Sequence, residues 1–218
     1  MNLTTADRDP ARAARPGEQG EVERDGVRVR WERYGDGEPT VLLLPAWSIV
    51  HSRQWKAQVP YLARHLRVVT FDGRGNGRSD RPADAEAYDD AEYVADAVAV
   101  LDATGTGRAV LVGLSRGSRW AVELAAARPE RVLGAVLIDP ALPFMAPLPL
   151  EQNNSFDEEL DRSDGWAKFN RHYWMREYQD FLEFFASQAF SESHSTKQIE
   201  DMVGWGLETS PETLILTQ

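Results

Sequence analysis

Ala109-Val110-Leu111-Val112-Gly113-Leu114-Ser115-Arg116-Gly117-Ser118-Arg119-Trp120 is the stretch that decides how this chain folds. Its first six residues form an apolar run without alternation, the pattern of a strand covered on both faces. From Arg116 to Ala127 the residues Trp120, Leu124 and Ala127 recur at helical spacing, and Pro129 ends the segment. Ser115 therefore stands at a strand-to-helix junction, with Gly113 two residues before it and Gly117 two after. A serine placed there must occupy a sharp turn with strained backbone angles. A Cβ at either glycine would collide with the neighbouring strand and helix. The turn lifts the hydroxyl clear of the sheet, at the positive end of a helix. An ordinary helix N-cap is the plainer account of the same serine; its strand, glycine and helix context favours a nucleophile.

Similar apolar runs stand at Val41–Leu44, Arg67–Phe71 and Val132–Ile138. Helix-period residues separate them. Trp55, Gln58, Val59 and Leu62 form one set, with Pro60 a candidate kink. Tyr93, Val94, Ala97, Val98 and Leu101 form another, closed by Gly105. Upstream, Val27, Val29 and Trp31 alternate with Arg28, Arg30 and Glu32, and Asp25-Gly26 predicts a tight turn back to a partner strand at Glu21–Arg24. The expected class is α/β, a mostly parallel twisted sheet with helices on both faces. Three segments follow: a flexible tail over 1–20, the α/β core over 21–149 and a helical lid over 150–218. The tail assignment rests on its lack of large apolar residues. In the last segment Trp166, Phe169, Tyr173, Tyr178, Phe181 and Phe185 recur at spacings that suit helices. They serve either plain core packing or a lid over a pocket.

Composition narrows the chemistry. The 218 residues carry a formal charge of −11, which opposes a general nucleic-acid or anionic-membrane surface. The absence of cysteine excludes disulfides, thiolate metal sites and thiol nucleophiles, and four histidines make a multi-histidine metal cage a poor expectation. No apolar run approaches membrane-spanning length and no secretory signal is visible, so a cytoplasmic location is expected.

A second motif is Phe71-Asp72-Gly73-Arg74-Gly75-Asn76-Gly77-Arg78-Ser79-Asp80. Its glycine spacing fits neither the dinucleotide fingerprint nor a Walker loop, which disfavours a nucleotide site. It reads more simply as a structural turn in which Asp72 pairs with Arg74 and glycines take positive φ.

Taken together, Asp72-x-Arg74-Gly75-x-Gly77-x-Ser79 and Gly113-x-Ser115-x-Gly117 resemble the α/β-hydrolase family of serine esterases and their relatives, over roughly residues 21–218. The resemblance implies an eight-stranded sheet with a helical lid after the sixth strand. It implies Ser115 as nucleophile, with the oxyanion held by the backbone N–H groups of Arg116 and Trp47. Relatives often read His-Gly where this chain has Pro45-Ala46, a change that leaves the backbone donor in place. The wall of the pocket would include Trp47. No cofactor or metal is implied, and the substrate would be a small, ester-like molecule. Haloperoxidase-like and carbon–carbon bond hydrolases share the serine. Dehalogenases and epoxide hydrolases are disfavoured, because in them an aspartate stands at the position of Ser115.

The family's order is nucleophile, acid, then histidine. Only His172 and His194 follow Ser115, and neither follows a strand. Asp139 stands where some relatives place the acid, although an Asp-Pro strand terminator explains it as well, and His51 could line the entrance. The sequence thus reads as C-terminally incomplete, a fragment or truncated frame, whose Val132–Ile138 edge would be prone to self-association. The rival expectation is a catalytically dead binding module or partner subunit on the same fold.

Overall fold

Asp25 and Gly26 both take positive φ, 53° and 78°, the geometry of a two-residue hairpin turn whose twist matches its strands. In the computed structural model, which describes residues 14–142, 144 and 156–218, this turn joins β1 (Glu18–Arg24) to β2 (Val27–Tyr34) in antiparallel register. Pairing begins at Glu18, so residues 18–20 belong to the sheet and not to a tail. The reason is on the opposite strand. Gly20 lies across from Trp31, and any Cβ there would press within 2.5 Å of the indole. The apolar group that holds this end down is therefore contributed by β2. Ahead of residues 18–20, Gly17 N–H donates to the Arg33 carbonyl at 2.9 Å, and residues 1–13 of the expected tail lie outside the described residues.

The other strands are β3 (Thr40–Leu43), β4 (Arg67–Phe71), β5 (Ala109–Leu114) and β6 (Val132–Ile138), giving the order β1-β2-β4-β3-β5-β6. β2 meets β4 antiparallel; β4, β3, β5 and β6 run parallel to one another. One face is covered by α2 (Asp90–Ala103) and α3 (Arg116–Ala127), whose Ala97, Val100, Leu101, Ala121 and Leu124 close on Leu42, Val69 and Leu111. The opposite face packs Tyr34, Val41, Leu43 and Val68 against Trp55 and Val59. Here the expected kinked helix is instead two pieces, a 3-10 turn over Ser52–Trp55 and α1 (Gln58–Leu62). Pro60 does not bend α1, because its missing N–H falls in the first turn, where no intrahelical acceptor exists.

Strand β6 is covered least. Leu133, Val136, Leu137 and Ile138 are between 39% and 49% exposed, on consecutive and hence opposite faces of the strand.

Helices α4 (Arg171–Ala189), α5 (Thr196–Gly206) and α6 (Pro211–Ile215) follow, α4 bending at Glu177. The Asn170 side chain caps α4 by accepting from the His172 and Tyr173 N–H groups. Their aromatic stripe forms a second core. Trp174, Phe181, Ala186 and Leu214 enclose Trp47, Ile49 and Val50 of the loop after β3, with Trp47 5.3 Å from Phe185 and 5.8 Å from Trp174 between ring centroids. Between the two roles foreseen for these aromatics, the described contacts are those of packing. Among the described residues no helix is long and apolar enough to cross a membrane.

Candidate active site

The last residue of β5 is followed by Ser115 at φ 55° and ψ −121°, a conformation that side-chain-bearing residues avoid. The surrounding backbone holds it there. Ser115 N–H donates to the Ile138 carbonyl at 3.0 Å, Ser118 N–H donates to the Ser115 carbonyl at 3.0 Å, and Ser118 Oγ donates to the Gly113 carbonyl at 2.8 Å. The two glycines act on different neighbours. A Cβ on Gly113 would run into the Gly117 carbonyl across the elbow; one on Gly117 would run into the Pro45 carbonyl. Gly117 thus lets the loop after β3 come against the start of α3. Ser115 is half-buried, and its Oγ has no hydrogen-bond partner among the described residues.

That loop carries Trp47, whose indole Nε1 donates to Thr217 Oγ1 at 2.7 Å. Arg116 Nη1 donates to the Thr217 carbonyl at 2.6 Å. Thr217 is 3% exposed and so ties the elbow, the Trp47 loop and the segment after α6 into one wall. Among the described residues, neither the Trp47 nor the Arg116 backbone N–H has a hydrogen-bond partner, which leaves both as donors. Thr217 could not be foreseen. Its partners lie 170 and 101 residues away, and a single threonine near a helix end carries no pattern.

The Gly-rich loop supports this wall in a way that differs from the expected pairing. Arg74 does not bond Asp72; it bonds Asp96 of α2 through Nε–Oδ2 and Nη2–Oδ1, both 2.7 Å. Asp72 is taken up by Ser52 Oγ at 2.6 Å and by the Arg78 N–H at 3.0 Å. Asp72 is engaged by Ser52 and Arg78, while the Arg74 guanidinium reaches α2. Gly75 and Gly77 do take positive φ, 90° and 57°. The Arg74 carbonyl accepts from Ser48 Oγ at 3.1 Å, and Asn76 Nδ2 donates to the Ser48 carbonyl at 2.5 Å, next to Trp47.

None of the four histidines hydrogen-bonds Ser115 among the described residues. His172 Nε2 meets the Asp157 carbonyl at 2.9 Å, and His194 is exposed. Asp139 is exposed too, at φ 43°. His51, expected at an entrance, is 3% exposed beneath Trp205, 5.5 Å between rings. Its Nδ1 accepts from the Arg53 N–H at 3.3 Å and its Nε2 lies 3.4 Å from Glu208 Oε2. Burial lowers its pKa; the opposing pull of Asp72 and Glu208 does not cancel that. The unfolded chain, with histidine near 6.5, therefore binds a proton that the folded chain refuses. Stability contributed by neutral His51 is complete above about pH 6.5 and is lost as pH falls from there through the folded value. Urea unfolding at pH 7.5 and pH 5.5 should show this loss, and His51→Gln should flatten it. An unchanged slope in the variant would assign the loss elsewhere.

A serine at positive φ between a parallel strand and a helix, beside the unbonded backbone N–H groups of Arg116 and of Trp47 in the loop of a neighbouring strand, is the elbow geometry of an α/β-hydrolase fold. The chain belongs to the α/β-hydrolase fold family, whose description, alpha/beta hydrolase fold, matches residues 39–205. It is 37% identical over 127 residues to 2-hydroxymuconate semialdehyde hydrolase of Pseudomonas sp. (strain CF600), covering 56% of this chain and 43% of that protein. It is 40% identical over 119 residues to lipase LipV of Mycobacterium tuberculosis (strain ATCC 25618 / H37Rv), covering 53% and 43%. A solved structure described as Est816, an N-acyl homoserine lactone degrading enzyme, superposes with a TM-score of 0.71 at 26% identity, over 91% of this chain and 70% of the other. The chain thus spans about two-fifths of the length of these curated relatives, which are hydrolases.

Proposed function

We propose that this chain is a serine hydrolase acting on a small, ester-like acyl substrate, with Ser115 as its nucleophile. The observation that carries this reading is the Ser115 backbone, φ 55° and ψ −121°, held between β5 and α3 with a hydroxyl that has no hydrogen-bond partner among the described residues. Nothing in ordinary packing requires that strain, which costs on the order of 1–3 kcal/mol and persists mainly at functional sites.

In the reaction, Ser115 Oγ attacks the acyl carbonyl carbon while its proton passes to a base. The carbonyl oxygen becomes an oxyanion, held by the N–H groups of Trp47 and Arg116; each such donor contributes about 3 kcal/mol to the transition state. The leaving alkoxide departs with a proton, and water then releases the acyl group from Ser115. No step calls for a metal or cofactor. Epoxide hydrolase A of Mycobacterium tuberculosis is also 38% identical over 125 residues. A serine hydroxyl at the elbow favours acyl chemistry over epoxide opening for this chain.

One observation favours a second reading. Among the described residues no histidine is bonded to Ser115, and a serine needs a base, so the second reading is a binding module on the same fold. A fluorophosphonate probe separates the two. The hydrolase reading expects a covalent adduct on the peptide bearing Ser115, found by mass spectrometry after digestion. A folded protein that stays unlabelled leaves the binding module.

A further inference from the structure

Many cations along the strands and helices have carboxylate partners. Arg74 bonds Asp96, Arg78 bonds Glu32 and Arg119 bonds both Asp90 and Glu123. Arg116 does not. Although the chain carries 35 acidic residues against 24 basic ones, no carboxylate among the described residues lies within ion-pair distance of its guanidinium. Its single described partner is the neutral Thr217 carbonyl, at 2.6 Å. A guanidinium presents five N–H donors in a planar fork suited to two carboxylate oxygens, so most of this fork is uncommitted.

The position is also electrostatically poor for a cation. Arg116 is the first residue of α3, where the helix dipole is positive and a positive side chain is disfavoured. It is half-buried, so part of its hydration is already lost. Packing alone would be served as well by an uncharged side chain of similar length. The guanidinium is fixed to the same Thr217 that receives the Trp47 indole, on the wall above the elbow, one residue from Ser115.

We infer that Arg116 is a specificity residue whose guanidinium receives a carboxylate carried by the substrate. This deepens the reading of Ser115 as an acyl site and rests on it. The substrate class is an acyl compound with a second, anionic end, such as a half-ester of a dicarboxylic acid. The backbone N–H of Arg116 faces the developing oxyanion while its side chain selects the charged end. One residue thus serves both through different atoms, and substituting the side chain leaves the backbone donor in place.

The test is equilibrium binding to the full chain of phenylacetate and phenylacetamide, which match in shape and differ in charge, read by calorimetry. The wild-type protein should prefer phenylacetate by about tenfold or more, the scale of one charge-assisted pair. Arg116→Gln should abolish that preference, and Arg116→Lys, which keeps the charge without the fork, should retain part of it. A thermal melt of each variant checks folding, and the lysine variant carries the comparison if the glutamine variant does not fold. Equal affinity of the two ligands in the wild type, no binding of either, or a preference that survives Arg116→Gln overturns the inference. Fluorophosphonate labelling of the wild type is read separately: a carboxylate preference without labelling removes the acyl-transfer reading and leaves the carboxylate site standing.

Discussion

Ser115→Ala should abolish the fluorophosphonate adduct and lower any ester turnover by roughly 10⁴-fold or more, the usual consequence of removing a serine nucleophile. Its stability should scarcely change, because alanine meets the same steric conflict at φ 55° that serine does. Ser115→Gly separates the two roles of the residue. Glycine tolerates this region, so relief of strain, on the order of 1–3 kcal/mol, opposes the greater flexibility that glycine gives the unfolded chain, about 0.5–1 kcal/mol. The glycine variant should therefore be more stable by about 1 kcal/mol while being equally dead toward the probe. Urea unfolding and intact-mass labelling of the three proteins measure both effects. If glycine destabilises the fold, the elbow is not strained. If alanine still forms the adduct, another residue reacts. A gain in stability with a loss of reactivity at one position is the signature of a site held in tension for chemistry.

The elbow was legible because its sequence signature is local, although the Pro45 and Ile138 carbonyls that also constrain it are not. Strand, serine, helix and both glycines fall within twenty consecutive residues, and steric rules act at that range. The same holds for the Asp25-Gly26 turn and for the α3 boundary before Pro129. Legibility ended where a side chain had to choose among distant partners. Arg74 had a carboxylate two residues away in Asp72 and bonded one 22 residues away, because Ser52 and Arg78 engage Asp72 while α2 brings Asp96 to the guanidinium. The aromatic stripe of α4 announced an apolar face, but periodicity gives the face and not what covers it. Only the structure places Trp47 there. Thr217, which joins the Trp47 loop to Arg116, has no local signature at all.

The loop that shapes this wall depends on a buried ion pair, and breaking it should have the largest effect on stability. Arg74 and Asp96 are each 1% exposed. Asp96 accepts both guanidinium bonds of Arg74 and a third from Arg24 Nε at 3.1 Å. Asp96→Ala strands the Arg74 guanidinium with the Ala87 carbonyl at 2.6 Å and Glu92, 3.3 Å away. Leaving one charge of such a pair uncompensated costs about 3–5 kcal/mol. For a chain of this size that corresponds to a fall in Tm of roughly 10 °C or more. The loss measures abandonment of one partner and not the net worth of the pair. Replacing both, as in Arg74→Met with Asp96→Leu, should recover most of it, since apolar groups of similar volume need no solvation. The single variant should also label more slowly, because the Arg74 carbonyl anchors Ser48, next to Trp47. Thermal melts of Arg74→Met, Asp96→Leu and the double variant close the cycle, with Asp96→Ala measured beside them. A loss below about 1 kcal/mol in Asp96→Ala would mean that water reaches the guanidinium and that Arg74 is not the anchor of the loop.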